Sequence, residues 1–171
     1  MLYQTQHHNV SEVAYMGSYT TRAREREKTK KRGIKFAEKI HNNSFFPSRK
    51  DVIFSKEYQG LGASAVKLYH DVSAHWNGKN NGDLCVTFSV MRAHHGWVSN
   101  GTLRRALKEL LDTGFLILTR EGDRNRAALY ALTTVPINEC LDGNGRSKIH
   151  VRPTDRAPDS WRNKSENEAS I

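Results

Sequence analysis

Arg104, Arg105 and Lys108 fall within five residues, and Arg120, Arg124 and Arg126 fall within seven. A guanidinium is a planar fork of donors that fits two phosphate oxygens or the O6/N7 edge of guanine, whereas a lysine offers a point charge. Ser99, Asn100 and Thr102 stand just ahead of the first cluster and add hydroxyl and amide groups of the kind that bond to phosphates and bases. A third cluster comprises Arg22, Arg24, Arg26, Lys28, Lys30, Lys31 and Arg32, opposed only by Glu25 and Glu27, a balance of +5 over residues 20–33. The chemistry shared by the three clusters is recognition of an anion.

Bond-making chemistry has no comparable support. The chain contains no Walker loop, no HExxH and no GxSxG. Asp71, Asp83, Glu109 and Asp112 read as turn and helix-surface residues rather than a paired-carboxylate site. His7-His8 and His94-His95 are adjacent pairs, and neighbours on a helix point about 100° apart, which suits joint metal ligation poorly. Cys85 and Cys140 form no CxxC spacing and are expected to be buried free thiols in a reducing cytoplasm. No catalytic residue, metal or cofactor is expected.

The elements that must position the cations are legible from Leu61 onward. Leu61, Ala65, Leu68, Tyr69, Val72 and Trp76 predict one face of a helix over 61–76, ended by Asn77-Gly78 and Asn80-Asn81-Gly82. Residues 84–88 read as a short strand. Ser89 is the expected cap of a helix over 90–95, Gly96 its stop, and Trp97 and Val98 fill the turn. Ser99 caps a third helix whose core stripe is Leu103, Ala106, Leu107, Leu110 and Leu111, closed by Gly114. That stripe leaves Arg104, Arg105 and Lys108 on the outer side. Residues 115–118 and 128–132 predict a hairpin with the charged tip 121–126, and so a wing bearing Arg120, Arg124 and Arg126.

Outside this region the signals weaken. IKFAEKI, residues 34–40, fits a short helix, DVIF at 51–54 a short strand or extended lead-in, and Ser55 an N-capped turn. Residues 1–33 carry few core-formers and predict a flexible basic arm. Past Thr133 the pattern is broken by Pro136, Gly143, Gly145, Pro153 and Pro158, and basic and acidic residues from 134 to 171 balance at six each. This predicts an irregular tail with a disordered end, anchored at most by Trp161. The domain plan is therefore an arm at 1–33, a domain at 34–142 with its core at 61–133, and a tail at 143–171.

Helix, short strand, helix, turn, helix, strand, loop, strand is an α+β order. It predicts a winged helix-turn-helix, in which the third helix enters the major groove and the hairpin tip reaches phosphate or minor groove. The motifs NNGDL, MRAHHGWVSNGTLRRALKELLDTGFL, TREGDRNRAALYALT and PINEC resemble a winged-helix family of phages, plasmids and integrated elements. That family is similar to the DNA-binding modules of phage and plasmid replication initiators. The likeness covers about residues 45–142 and rests most on Gly96-Trp97, Ser99, Thr102-Leu103 and GDRNRAALYALT. It implies DNA contact by Ser99, Asn100, Thr102, Arg104, Arg105, Lys108, Arg124 and Arg126.

The whole chain agrees in sign with that expectation: 171 residues, a net charge of +9 and 37% hydrophobic residues. A basic balance favours an anionic partner, above all nucleic acid. No run of about 18 apolar residues marks a membrane span. The expected function is double-stranded DNA binding in regulation of transcription or copy number of a phage or mobile element. Two other roles fit the same residues: an origin-binding replication initiation factor, and a winged helix that modulates a host protein complex. A homodimer reading two half-sites, and contact with a host protein through a tail, are compatible with either DNA role.

Overall fold

The computed structural model describes residues 21–32 and 45–162. The chain divides into two units, Met1–Ser44 and Phe45–Ile171. In the first, residues 21–32 form helix α1, with every residue exposed. This helix belongs to the segment read above as a flexible basic arm. Arg, Lys, Glu and Ala all favour helix, and Lys31 pairs with Glu27 one turn earlier at 2.8 Å. IKFAEKI lies outside the described residues.

The second unit opens with two single-turn helices, α2 (Lys50–Ile53) and α3 (Lys56–Gln59). Residues 51–54, expected as a short strand or an extended lead-in, are instead helical as far as Ile53, with Phe54 as the C-cap. An alternating strand would place Val52 and Phe54 on one face and bury them together, but only Val52 goes inside and Phe54 is 73% exposed. Ser55 caps α3 as expected, accepting from the Tyr58 N–H.

Helix α4 (Ala63–His75) buries Ala65, Leu68, Tyr69 and Val72. It is shorter than 61–76 because Gly62 and Trp76 both take extended backbone. Gly62 has no side chain to cap the helix; its N–H donates instead to Glu109 Oε1 at 2.6 Å. Strand β1 is only Leu84–Cys85. The expected strand to 88 stops early because Thr87, not Ser89, caps the next helix, α5 (Phe88–His95).

Gly96 ends α5 in the left-handed region at φ 68°. Helix α6 (Asn100–Asp112) then starts from Ser99, whose Oγ accepts from the Thr102 N–H. Leu103, Ala106 and Leu110 are buried, while Leu107 and Leu111 are half-buried against the same core. Gly114 follows at φ 81°. A Cβ there would come within 2.9 Å of the Ser160 backbone, so both the turn and the neighbour require glycine.

Strands β2 (Leu116–Arg120) and β3 (Leu129–Leu132) form the hairpin, with Leu116 opposite Leu132 and an irregularity between Leu118 and Arg120. The sheet is antiparallel in the order β1-β3-β2. Its helix-side face, with Leu84, Leu116, Tyr130 and Leu132, joins the main core. Phe115 sits in an aromatic cluster there, edge-on to Tyr58 and Tyr69 and stacked on Trp161 at 5.7 Å and 8°.

The other face is covered by the C-terminal segment. Leu129 and Ala131 pack there with Ile137, Cys140 and Ile149, and Cys85, Ile117 and Val151 lie against them. The domain limit expected at 142 is therefore not a packing limit. The segment is irregular, as expected, but its backbone is tied down: His150 N–H donates to Thr119 O at 2.7 Å, and Asp159 N–H to Thr133 O at 2.9 Å. Arg49 adds a bridge, donating to Asp159 Oδ1 at 2.6 Å and to Asp51 Oδ2 at 2.5 Å. Both cysteines are free, Cys140 buried and Cys85 half-buried.

Candidate nucleic-acid interface

The side of α6 opposite its core stripe carries the first predicted cluster. Asn100, Arg104 and Lys108 recur at four-residue spacing, so they lie on one line along the helix, with Arg105 beside it. All four are exposed. Arg105 Nη2 reaches Thr102 Oγ1 at 3.4 Å, a weak contact. Lys108 forms an ion pair with Asp112 one turn on, both ends exposed. Ser99 holds the helix start at 3.2 Å to the Thr102 N–H, so its hydroxyl is a structural group first.

The hairpin tip is organised by one carboxylate. Asp123 Oδ1 accepts from the Asn125 and Arg126 N–H groups at 2.8 and 2.9 Å, and Oδ2 from Arg126 Nε at 2.9 Å. These bonds, the Asn125 N–H foremost, hold the Asp123 carboxyl below the usual carboxylate range. Arg124 projects freely at the tip and is exposed. Arg120 differs from its expected place at the interface. Its Nη2 donates to Ala127 O across the hairpin at 2.8 Å, and its Nε is buried. It acts as a strut of the hairpin.

The arm cations Arg22, Arg24, Arg26, Lys28, Lys30, Lys31 and Arg32 all lie exposed on α1. They belong to the other unit.

The turn that aims α6 is fixed by a polar network that sequence reasoning did not find. Asp71, expected on a helix surface, is its centre. Asp71 Oδ2 accepts from Trp97 Nε1 at 2.7 Å and from Lys67 Nζ at 2.6 Å. Lys67 also donates to His95 O at 2.9 Å and covers the Trp97 ring at 4.9 Å. His95 Nδ1 lies 3.3 Å from Asp71 Oδ1. Its Nε2 meets His75 Nε2 at 2.7 Å, so one imidazole donates and the other accepts. Burial, then the His95 and His94 charges, push His75 below the ordinary histidine pKa. No local pattern signals this network, because its members come from α4, α5 and the turn.

Two further features were also missed. Val98, expected to fill the turn, is 92% exposed beside the start of α6. Residues 146–152 carry Arg146, Lys148, His150 and Arg152 without an acid, which the even balance of the whole tail conceals. Lys148 is paired with Asp83 at 2.6 Å. Arg146, His150 and Arg152 are exposed, and the His150–Thr119 bond lays this segment along β2, the strand that leads to the hairpin tip.

Among the described residues, no group of three or more His, Cys, Asp and Glu side chains could hold a metal ion. No described helix is long and apolar enough to cross a membrane. Asp83, Glu109 and Asp112, like Asp71, have structural partners: Lys148, the Gly62 N–H and Lys108. No protein-family model, curated protein or solved structure matches the chain.

Proposed function

We propose that residues 45–162 are a winged helix-turn-helix module that binds duplex DNA, with α6 in the major groove and the 121–128 loop as the wing. The observation that carries this reading is the outer face of α6. It follows a capped helix pair and a rigid turn, and it presents Arg104 and Arg105 to solvent. The β1-β3-β2 sheet order and a wing tip that exposes Arg124 support it. A guanidinium in the major groove forks to guanine, and one at the tip meets phosphate. By the resemblance noted above, the proposed role is regulation of transcription or copy number in a phage, plasmid or integrated element.

Enrichment of bound sequences from a random duplex library, followed by a salt titration, tests this. The expected result is an enriched motif whose affinity falls by about 0.9 in log K per log salt for each phosphate neutralised. Direct repeats would move the role to origin binding, and a palindrome would imply a dimer. No enrichment and no salt-dependent binding would overturn the proposal in favour of a protein partner.

A further inference from the structure

We infer that Val98 reads the 5-methyl group of a thymine in the major groove, as a specificity determinant of the DNA-binding reading on which this inference rests. Val98 is 92% exposed, yet its neighbours leave it no route to retreat. Trp97 before it is buried and bonded to Asp71, and Ser99 after it caps α6. A single exposed apolar side chain on a surface is ordinary. One pinned outward at the leading end of a basic helix is placed where base edges are met.

The surroundings of Val98 favour this occupant. Asn100 follows two residues later, exposed, and its carboxamide matches the N6/N7 edge of adenine. An A·T pair shows the major groove a methyl group beside that edge. A phosphate would use only the cations and leave the isopropyl group in contact with nothing apolar.

Gly101 gives a second, independent observation. It lies in the first turn of α6, where glycine is among the poorest helix formers. Its φ is unremarkable for a helix, and an added Cβ would meet only Ser99 Oγ at 3.9 Å. The fold of this chain therefore does not require glycine at 101. On this inference, a groove wall close to the helix backbone beside Val98 accounts for the glycine.

The test uses the full chain and the duplex enriched above, copied with dUTP in place of dTTP and then with uracil at single thymine positions. Uracil removes only the methyl group. One position is expected to lose about fourfold in affinity, the fold-change equivalent of one buried methylene at about 0.8 kcal/mol. In Val98→Ala that position should show no uracil penalty. Gly101→Ala should leave the unfolding temperature unchanged or raised, while its affinity for the enriched site falls at least several-fold more than for random duplex. A bound site with no uracil-sensitive thymine, or a penalty equal in the parent and Val98→Ala, would overturn the inference alone. Absence of any duplex binding would overturn it together with the reading beneath it.

Discussion

Asn81 shows how one side chain substitutes for secondary structure. Its carboxamide accepts from the Leu132 N–H at 2.8 Å and donates to the carbonyls of Leu132, Val135 and Pro136 at 2.8, 3.2 and 2.9 Å. It is fully buried, so no water replaces these bonds. Leaving a buried polar group unpaired costs about 1–3 kcal/mol. Asn81→Ala strands several, and is expected to lose about 3 kcal/mol or more in urea unfolding. Asn81→Asp should be worse, because a carboxylate would face three carbonyl oxygens. A loss below about 1 kcal/mol for Asn81→Ala would mean that solvent enters and re-pairs the backbone. The exposed arginines carry a different kind of prediction. Arg104→Ala or Arg105→Ala should cost about 1–3 kcal/mol on the enriched duplex and less on random duplex, if the proposed contact is to bases. Arg124→Ala should weaken both duplexes by similar factors. Competition binding with the two duplexes separates these outcomes, and equal losses throughout would remove base reading from α6.

At the scale of elements, the seat of α6 depends on its inner stripe and on the network at its leading end. Leu110 is fully buried, whereas Leu107 is only half-buried. Leu110→Ala should therefore fall in the range of about 2–5 kcal/mol, and Leu107→Ala below it. Reversed values would show that the helix sits rotated in solution. The His75–His95 contact makes the joint between α4 and α5 sensitive to acid. The folded pKa of His75 is depressed, so protonation favours the unfolded chain. Its contribution to stability is fully present above the unfolded value of about 6.5 and is lost as pH falls through the folded value. Urea midpoints at about pH 7.5 and about pH 5.5 should therefore differ more in the parent than in His75→Gln. Equal drops would assign the acid sensitivity to groups other than His75.

At the scale of the molecule, the sheet is a middle layer between the helices and the C-terminal segment. That is why all four residues of β3 are buried. A strand covered on both faces reads as a continuous apolar run instead of an alternation, and Leu129-Tyr130-Ala131-Leu132 does so. Trp161 fastens the segment to the main core, 2% exposed and stacked on Phe115. Arg162 lies over its ring at 4.3 Å and reaches Asp51 Oδ2 at 2.5 Å. Trp161→Ala is expected to cost about 3–5 kcal/mol, the range for a buried aromatic. A much smaller loss in urea unfolding would mean that the segment docks without contributing to the core.

What the sequence determined by itself is the run from α4 to β3. Each signal there is local. The leucine spacing follows the helical period, Ser99 caps within three residues, and Gly96 and Gly114 stand where the backbone turns left-handed. The exposed face of α6 follows from the same period, so Arg104, Arg105 and Lys108 were legible as a surface cluster. Local signals misplaced the cap of α5, since Thr87 and Ser89 are both competent; with Thr87 as the cap, Phe88 joins the helix and packs against the core. Tertiary structure alone decided that the proline-broken tail covers the sheet, that Asn81 pairs with β3, that Arg120 braces the hairpin and that Val98 is exposed. Several of these depend on partners far along the chain, such as Asn81 and Leu132, 51 positions apart. Such contacts follow from which apolar faces remain open once the elements meet, and no periodicity in the chain records that.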